Sequence, residues 1–496
     1  MILLGGGYML KDFDFNETRN PYAGFKRKEL GERLARAQRL IKNLNIPVLI
    51  IVDGWESSGK GYVIKDLVRE LNPKSYKVSV FETPTAEEEA RPFLWRFWEK
   101  IPSKGNMAIF DRSFYFNLLN DLSIENGELQ QGIEDISIIE KQLLDDNVII
   151  IKFFLHQKEK TQQGRIDTLK NDVDKAFMVG ERDEEQYKHY ADYLEHFDEI
   201  LEKSDFPFSK WHIVSTEEKK AASEKILGMS IDLIYEGIDR ILGQKNGGIR
   251  YARNYIPSQK PLEKIDLGLT LTEEEYDKRK DALQLEAQRI AFQLYTKGIP
   301  TVLVFEGVDA AGKGGAIERL TREMDPRGYE VITTSAPNEL EQQYHYLWRF
   351  YRNFPKKGDI KIFDRSWYGR VLVERVEGFA TEKEWDRAYE EINQMEAQLT
   401  KFGTLVIKFF LYIDKEEQLK RFKDRENEPD KVYKLTDEDW RNREKWDEYI
   451  DAMNEMLDRT STPQAPWNIV SGMDKKYARI NVLETFIEQA TKKLNE

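Results

Sequence analysis

Two stretches of this 496-residue chain have the residue types and spacing of a phosphate cradle. Gly54-Trp-Glu-Ser-Ser-Gly59-Lys60-Gly61 and Gly307-Val-Asp-Ala-Ala-Gly312-Lys313-Gly314 both read G-x-x-x-x-G-K-G. Backbone N–H groups of such a loop converge on an anion, and the lysine reaches its phosphate oxygens. Each copy follows an apolar, strand-like run, residues 48–52 or 301–305. One match is weak evidence, since about 0.15 are expected by chance in a chain of this length. Two matches, each behind a strand and each followed by glycine, make phosphate handling the first conclusion.

Phosphate loops of nucleoside-triphosphate enzymes usually continue as Lys-Ser or Lys-Thr, whose hydroxyl binds Mg2+. Gly61 and Gly314 stand there instead, so a metal has to be held by other groups. Asp309 lies inside the second loop, where a carboxylate would repel a phosphate unless a cation lay between them. Asp364, at the end of a predicted strand, is the natural second ligand, and two hard oxygen ligands suit Mg2+, with Mn2+ as the alternative. The competing reading makes Asp309 a solvated loop residue and Asp364 a helix cap. Arg365 has the planar fork that grips a phosphoryl group through two hydrogen bonds; its alternative role is a structural salt bridge. Lys420, Arg421, Lys423 and Arg425, followed by Lys434, form a basic run that is either a solvated helix face or a lid over phosphates.

The duplication extends over whole domains. Lys60 and Lys313 are 253 residues apart, as are Asp111-Arg112-Ser113 and Asp364-Arg365-Ser366, and Leu94-Trp-Arg-Phe97 and Leu347-Trp-Arg-Phe350. Further on, Ile151–Leu155 and Ile407–Leu411 are 256 apart, as are Trp211 and Trp467, so the second copy gains three residues between Asp364 and Ile407. So long a period marks tandem domains, not a solenoid. At the offset of 256, Lys420, Lys423 and Arg425 face Gly164, Asp167 and Leu169, while Arg421 keeps Arg165; at 253, Glu56 stands for Asp309. The second half is therefore the better catalytic candidate.

In each half an amphipathic helix (24–44; 273–295) leads into the first strand and the loop. Further strands follow over 78–82, 107–110, 148–155 and 211–214, and again over 331–334, 360–363, 405–413 and 467–470. Strands alternating with helical stretches indicate an α/β fold: two tandem P-loop kinase-like domains, each with a parallel sheet of about five strands and helices on both faces. Ligands of such sheets sit beyond the carboxyl ends of the strands, where both glycine loops and both Asp-Arg-Ser motifs fall. The expected divisions are a leader over 1–24, a first domain over 25–245 with a degenerate site, a linker over 246–264 marked by Gly247-Gly248, Pro257 and Pro261, and a catalytic domain over 265–496.

Hydrophobic residues at 40% and charged residues at 33% describe a soluble globular chain, and each half is long enough to bury a core. Cysteine is absent, which excludes disulfides and thiolate metal sites and suits a cytoplasmic location. Met1–Leu10 lacks a basic n-region and is too short to span a bilayer, so it reads as a leader, with Met9 as a second candidate start. A net charge of −13 argues against a nucleic-acid binder, and nothing points to a membrane partner. A homo-oligomer is compatible with the sequence. Trp348, Trp367 and Trp467 read as core or wall; the five histidines are scattered and form no catalytic arrangement.

Taken together, Glu306–Gly315, Leu347–Phe350, Asp364–Tyr368, Val373–Val376, Arg421–Arg425, Lys434 and Ala465-Pro-Trp467 resemble the polyphosphate kinase type 2 family, and the tandem layout resembles its fused branch, which phosphorylates AMP. The resemblance implies phosphoryl transfer from inorganic polyphosphate to AMP, with Asp309 and Asp364 binding Mg2+. It implies phosphate contacts from Gly312, Lys313, Gly314, Arg365, Arg370, Arg421, Lys423, Arg425 and Lys434, and puts catalysis on Asp309, Lys313, Asp364 and Arg365. Gly369 departs from the family, whose single-domain members usually have Asn there. The rival readings are an ATP-dependent nucleotide kinase on the same fold and a non-catalytic phosphate-binding regulatory protein.

Overall fold

The computed structural model describes residues 10–15, 20–246, 260–428 and 437–496. Most of the expected leader, with Met9, lies outside the described residues, as do Gly247, Gly248, Pro257 and Lys434. The chain divides into two compact units, built mainly of Met1–Thr85 with Arg96–Ile249, and of Arg250–Gln342 with Tyr346–Glu496.

The first unit holds the strands β1 (Val48–Gly54), β2 (Tyr76–Val80), β3 (Met107–Asp111), β4 (Ile149–His156) and β5 (Trp211–Ser215). The second holds β6 (Thr301–Gly307), β7 (Tyr329–Thr333), β8 (Ile360–Asp364), β9 (Leu405–Tyr412) and β10 (Trp467–Ser471). Both sheets are parallel, in the orders β2-β3-β1-β4-β5 and β7-β8-β6-β9-β10. The loop-bearing strand is therefore central in each. Its first six residues are buried in both copies, which is why the run before Asp53 or Glu306 reads as strand-like and apolar.

Alternate residues of the strands face opposite layers. In the first unit Ile50, Val52 and Ile109 pack with Leu34 and Ile41 of the helix Arg27–Leu44 and with Ile226 and Ile234 of the helix Lys219–Asn246. Phe110 and Phe154 point the other way, against Phe81, Phe197 and Trp211. Trp348, Trp367 and Trp467 are buried, as the core reading expected.

The edge strands β2 and β7 begin two residues earlier than expected, at Tyr76 and Tyr329. Their residues are half-buried or exposed, so their apolar signal is weak, and parallel pairing to Met107–Asp111 and Ile360–Asp364 sets their limits instead. The stretch Pro261–Lys264, assigned to the linker by its prolines, forms a short 3-10 turn. Its Leu262 is buried and donates its backbone N–H to Asn454 Oδ1.

Candidate active site

The site of the second unit begins where β6 ends. Gly307 has φ +138°, and a Cβ there would lie 2.1 Å from the carbonyl oxygen of Leu411 on β9, so only glycine lets the chain turn out of the sheet. Gly312, at φ +110°, then starts the helix Lys313–Thr321, whose free N–H groups face the loop. Lys313 Nζ folds back to the carbonyls of Gly307 at 2.8 Å and Val308 at 3.3 Å. Ala310 and Arg365, both at positive φ (63° and 61°), hold left-handed conformations that cost non-glycine residues energy; Ser57 and Arg112 do the same in the first unit.

Parallel pairing sets Asp364 level with Phe305, so the Asp-Arg-Ser turn emerges beside the loop. A buried carboxylate locks the two together: Glu306 accepts from Ser366 N at 2.8 Å and Ser366 Oγ at 2.9 Å. Burial pushes the Glu306 carboxyl up, against the pull of nearby Lys313. Asp309 accepts from Arg365 Nη2 at 2.9 Å on one oxygen and from Asn442 Nδ2 at 3.0 Å on the other. Burial alone would raise its carboxyl, but Lys313, Arg365 and Asn442 outweigh that and the net shift is downward. Asp309 is thus charged and faces cations.

A cleft of about 1100 Å3 opens over these groups. Asp309, Gly312, Lys313, Gly314, Asp364 and Arg365 line it, and Arg421 and Arg425 reach it from the helix Lys415–Asn427, which Asp414 caps. Arg370 and Lys423 are not in its wall: Arg370 pairs with Glu374 at 2.9 Å, and Lys423 is exposed. Lys434 is outside the described residues. Arg421 has a second character. Its Nε donates to Glu417, its Nη1 to Ala310 and Ala311 carbonyls, and its Nη2 to Gly472 and Met473 carbonyls. All five guanidinium N–H groups therefore have protein acceptors, making the buried Arg421 a support for the loop. Arg165 does the same for Ser57, Ser58 and Thr216 in the first unit.

Several lining residues were missed from sequence. Arg319, Lys475 and Arg479 join the cleft from the helices Lys313–Thr321 and Lys475–Asn495. A signal existed: Arg319 and Arg479 face Asp66 and Ser223 in the first copy, the same loss of charge that singled out Lys423 and Arg425. Asn442, on the helix Asp437–Glu444, had no such signal.

The first loop differs. Glu56 is gripped by Arg112, at 3.0 Å from Nη2, and by Lys60 at 3.4 Å. Burial opposes its charge, yet Lys60 and Arg112 prevail and hold the carboxyl down to about 2. Gln186 accepts from the Glu56 backbone N–H at 2.8 Å, and Ser57 Oγ donates to Asp183 at 2.6 Å. In the first loop the lysine thus pairs with the carboxylate, and the Glu56 N–H and the Ser57 hydroxyl are engaged by side chains of the helix Glu181–Lys188.

A parallel sheet whose central strand feeds a glycine loop and lysine, with carboxylates and arginines at its carboxyl edge, defines a P-loop phosphotransferase. The model of the polyphosphate kinase 2 family matches residues 21–237 and again 270–496, and the chain belongs to that family. It is 39% identical over 481 residues to a polyphosphate:AMP phosphotransferase of Pseudomonas aeruginosa, covering 94% of this chain and 95% of that one. A polyphosphate:AMP phosphotransferase of Acinetobacter johnsonii is 34% identical, with 89% and 90% covered. A crystal structure of a polyphosphate kinase 2 from Pseudomonas aeruginosa superposes with a TM-score of 0.84 at 35% identity, over 95% of this chain and 96% of that one.

Proposed function

We infer that the chain transfers the terminal phosphoryl group of inorganic polyphosphate to AMP, giving ADP and a polyphosphate one unit shorter. The similarity to polyphosphate:AMP phosphotransferases runs through both halves and nearly the whole length. The single observation that carries the chemistry is the cleft in which Asp309, Lys313, Asp364 and Arg365 converge.

An oxygen of the AMP α-phosphate attacks the terminal phosphorus; the new P–O bond forms as the bridging P–O bond breaks, and its electron pair leaves with the shortened chain. Such a transfer needs positioning and charge neutralisation more than covalent help from the protein. Lys313 and the N–H groups of the loop hold donor oxygens, and Arg365 spans towards the phosphoryl group in flight. Arg425, Arg319 and Arg479 neutralise the rest of the polyanion along the cleft.

Asp309 and Asp364 fit Mg2+: they are hard oxygen donors in a phosphate site, and Mg2+ commonly takes one or two carboxylates, with water and phosphate completing its shell. When bound there it would offset the repulsion between acceptor and donor phosphates. Among the described residues no cluster of three or more His, Asp or Glu is arranged for a metal, so substrate phosphates would have to share in holding it. Turnover belongs to the second unit on this reading, because Glu56 pairs with the loop lysine Lys60 as well as with Arg112, whereas Asp309 pairs with Arg365 and leaves Lys313 to the loop carbonyls. No described helix is long and apolar enough to cross a membrane.

The test is ADP formation by the purified chain from AMP with either polyphosphate or ATP as donor, with and without Mg2+. ADP should appear with polyphosphate and only with the divalent cation. Transfer from ATP but not from polyphosphate would overturn the donor, and full turnover in excess chelator would overturn the metal.

A further inference from the structure

We propose that Asn442 is a positioning residue for the Asp309 carboxylate, and that Tyr449 acts on that carboxylate through Asn442. The proposal rests on the reading of Asp309 as a metal-facing group. Asn442 and Asp309 are 133 residues apart in sequence, and the contact is made by the helix Asp437–Glu444, which lies across the mouth of the loop.

The geometry fixes which way the amide points. Asn442 offers a donor at one end and an acceptor at the other. The Asp309 carboxylate can only accept, so the NH2 end faces its Oδ2 at 3.0 Å and leaves Oδ1 to the Tyr449 hydroxyl at 2.9 Å. A flipped amide would set its oxygen against the carboxylate. Tyr449 OH also reaches Glu377 Oε1 at 3.3 Å, so its single proton lies between that carboxylate and the amide oxygen, the amide contact being the shorter. Glu377 is itself held by Lys445 at 3.1 Å and Arg441 at 3.2 Å, which leaves the tyrosine oxygen little room to move. Burial, with Glu377 adding to it, pushes the Tyr449 phenol up, so it remains a donor at any ordinary pH.

With Arg365 on Oδ1 and Asn442 on Oδ2, the carboxylate plane of Asp309 is held at both ends. Arg365 is exposed enough to swing towards a phosphate, with 45% of its side chain accessible. Asn442 cannot follow, because Tyr449 holds its other end. It is therefore the contact that keeps Asp309 oriented when Arg365 leaves. The first unit supplies the contrast. At the same offset Gln186 and Tyr193 stand for Asn442 and Tyr449. There Gln186 accepts from the Glu56 backbone and donates to Asn120, and the Glu56 carboxylate belongs to Arg112 and Lys60. The amide-to-carboxylate bond exists only where the loop carries aspartate.

Groups that orient a metal ligand typically change metal affinity or activity by about 10–100-fold when removed. The test titrates Mn2+ into the full-length chain with AMP and no polyphosphate, so nothing turns over, and reads free Mn2+ by electron paramagnetic resonance. Asn442→Ala should raise the Mn2+ dissociation constant about 10–100-fold. It should raise the Mg2+ concentration for half-maximal turnover similarly, leaving KM for AMP and for polyphosphate within about twofold at saturating metal. Tyr449→Phe, which frees the amide to flip, should show a smaller shift of the same kind. The double variant should be no worse than Asn442→Ala, because Tyr449 works through it.

Unchanged Mn2+ affinity in Asn442→Ala, or losses that multiply in the double variant, would overturn the proposal. Should Asn442→Ala not fold, Tyr449→Phe decides alone, and unchanged Mn2+ affinity there overturns it. Asp309→Asn separates the two levels. If it loses Mn2+ while Asn442→Ala keeps it, only the positioning role falls. If Asp309→Asn binds Mn2+ as the wild type does, the metal-facing reading itself falls and takes the proposal with it.

Discussion

Replacing Glu56 by Gln removes a charge that the first unit holds and, on the proposed division of labour, does not use. Its carboxyl is held down to about 2 from an ordinary 4.5 by Lys60 and Arg112. A group charged at lower pH in the folded chain than in the unfolded one stabilises fully above its unfolded value and loses that contribution as the pH falls towards 2. At about 1.4 kcal/mol per pH unit, the difference amounts to about 3 kcal/mol at neutral pH, and less than half of it survives at pH 3. For a unit of this size that is a fall of about 6–12 °C in unfolding temperature at pH 7. Calorimetry of both proteins at pH 7 and in acid checks it: the gap between wild type and Glu56→Gln should narrow as the pH drops from 5 towards 3. A gap that stays constant would show that the ion pair is not its source. Turnover, measured below the unfolding temperature, should survive largely intact in Glu56→Gln and vanish in Asp309→Asn. Equal losses would mean that both loops work, and the assignment to the second unit would have to go.

Two further substitutions separate cleft from surface and support from contact. Arg425→Leu should raise KM for polyphosphate about 10–150-fold, the worth of one charge-assisted phosphate bond of about 1.5–3 kcal/mol, while Lys423→Asp, outside the cleft wall, should change it by less than about threefold; steady-state kinetics with both variants decides, and equal effects would return the helix to a general electrostatic role. Arg421→Ala should cost about 3 kcal/mol or more of stability by denaturant titration and most of the turnover, because it strips donors from carbonyls of both the loop and the turn after β10; Arg421→Lys should rescue little, since an ammonium cannot copy the fork.

The sheets were legible because their central strands are buried on both faces and therefore mostly apolar, with Asp53, Lys152, Glu306 and Lys408 as buried exceptions. The edge strands β2 and β7 were displaced by two residues because solvent covers much of them and only pairing sets their ends. Lys313, Asp364 and Arg365 stood out because the duplication repeats them, and Asp309 because a carboxylate inside a phosphate loop calls for a cation; the structure brings all four to one cleft. Arg421 was visible as a cation, but its task depends on carbonyls from residues 310 and 472, which no local pattern reveals. Asn442 was invisible for the same reason: a single neutral amide, brought to the loop from 133 residues away.

The crowding at the end of the central strand carries a lesson about how a duplicated gene drifts. A Cβ at Gly54 would lie 2.4 Å from the carbonyl oxygen of Leu155, as one at Gly307 collides with Leu411. Lys60, like Lys313, gives two hydrogen bonds to carbonyls at the start of its own loop, those of Gly54 and Trp55. Neither restraint involves a ligand. On the proposed division of labour, a copy released from turnover could exchange its aspartate for glutamate and shed its lid cations, yet could not give up that glycine without reshaping the sheet, or that lysine without orphaning the turn. On that division the signature outlives the chemistry it advertises, as an architectural fossil. In such tandem chains the informative positions are the variable ones inside the motif and the residues that lean on it from afar.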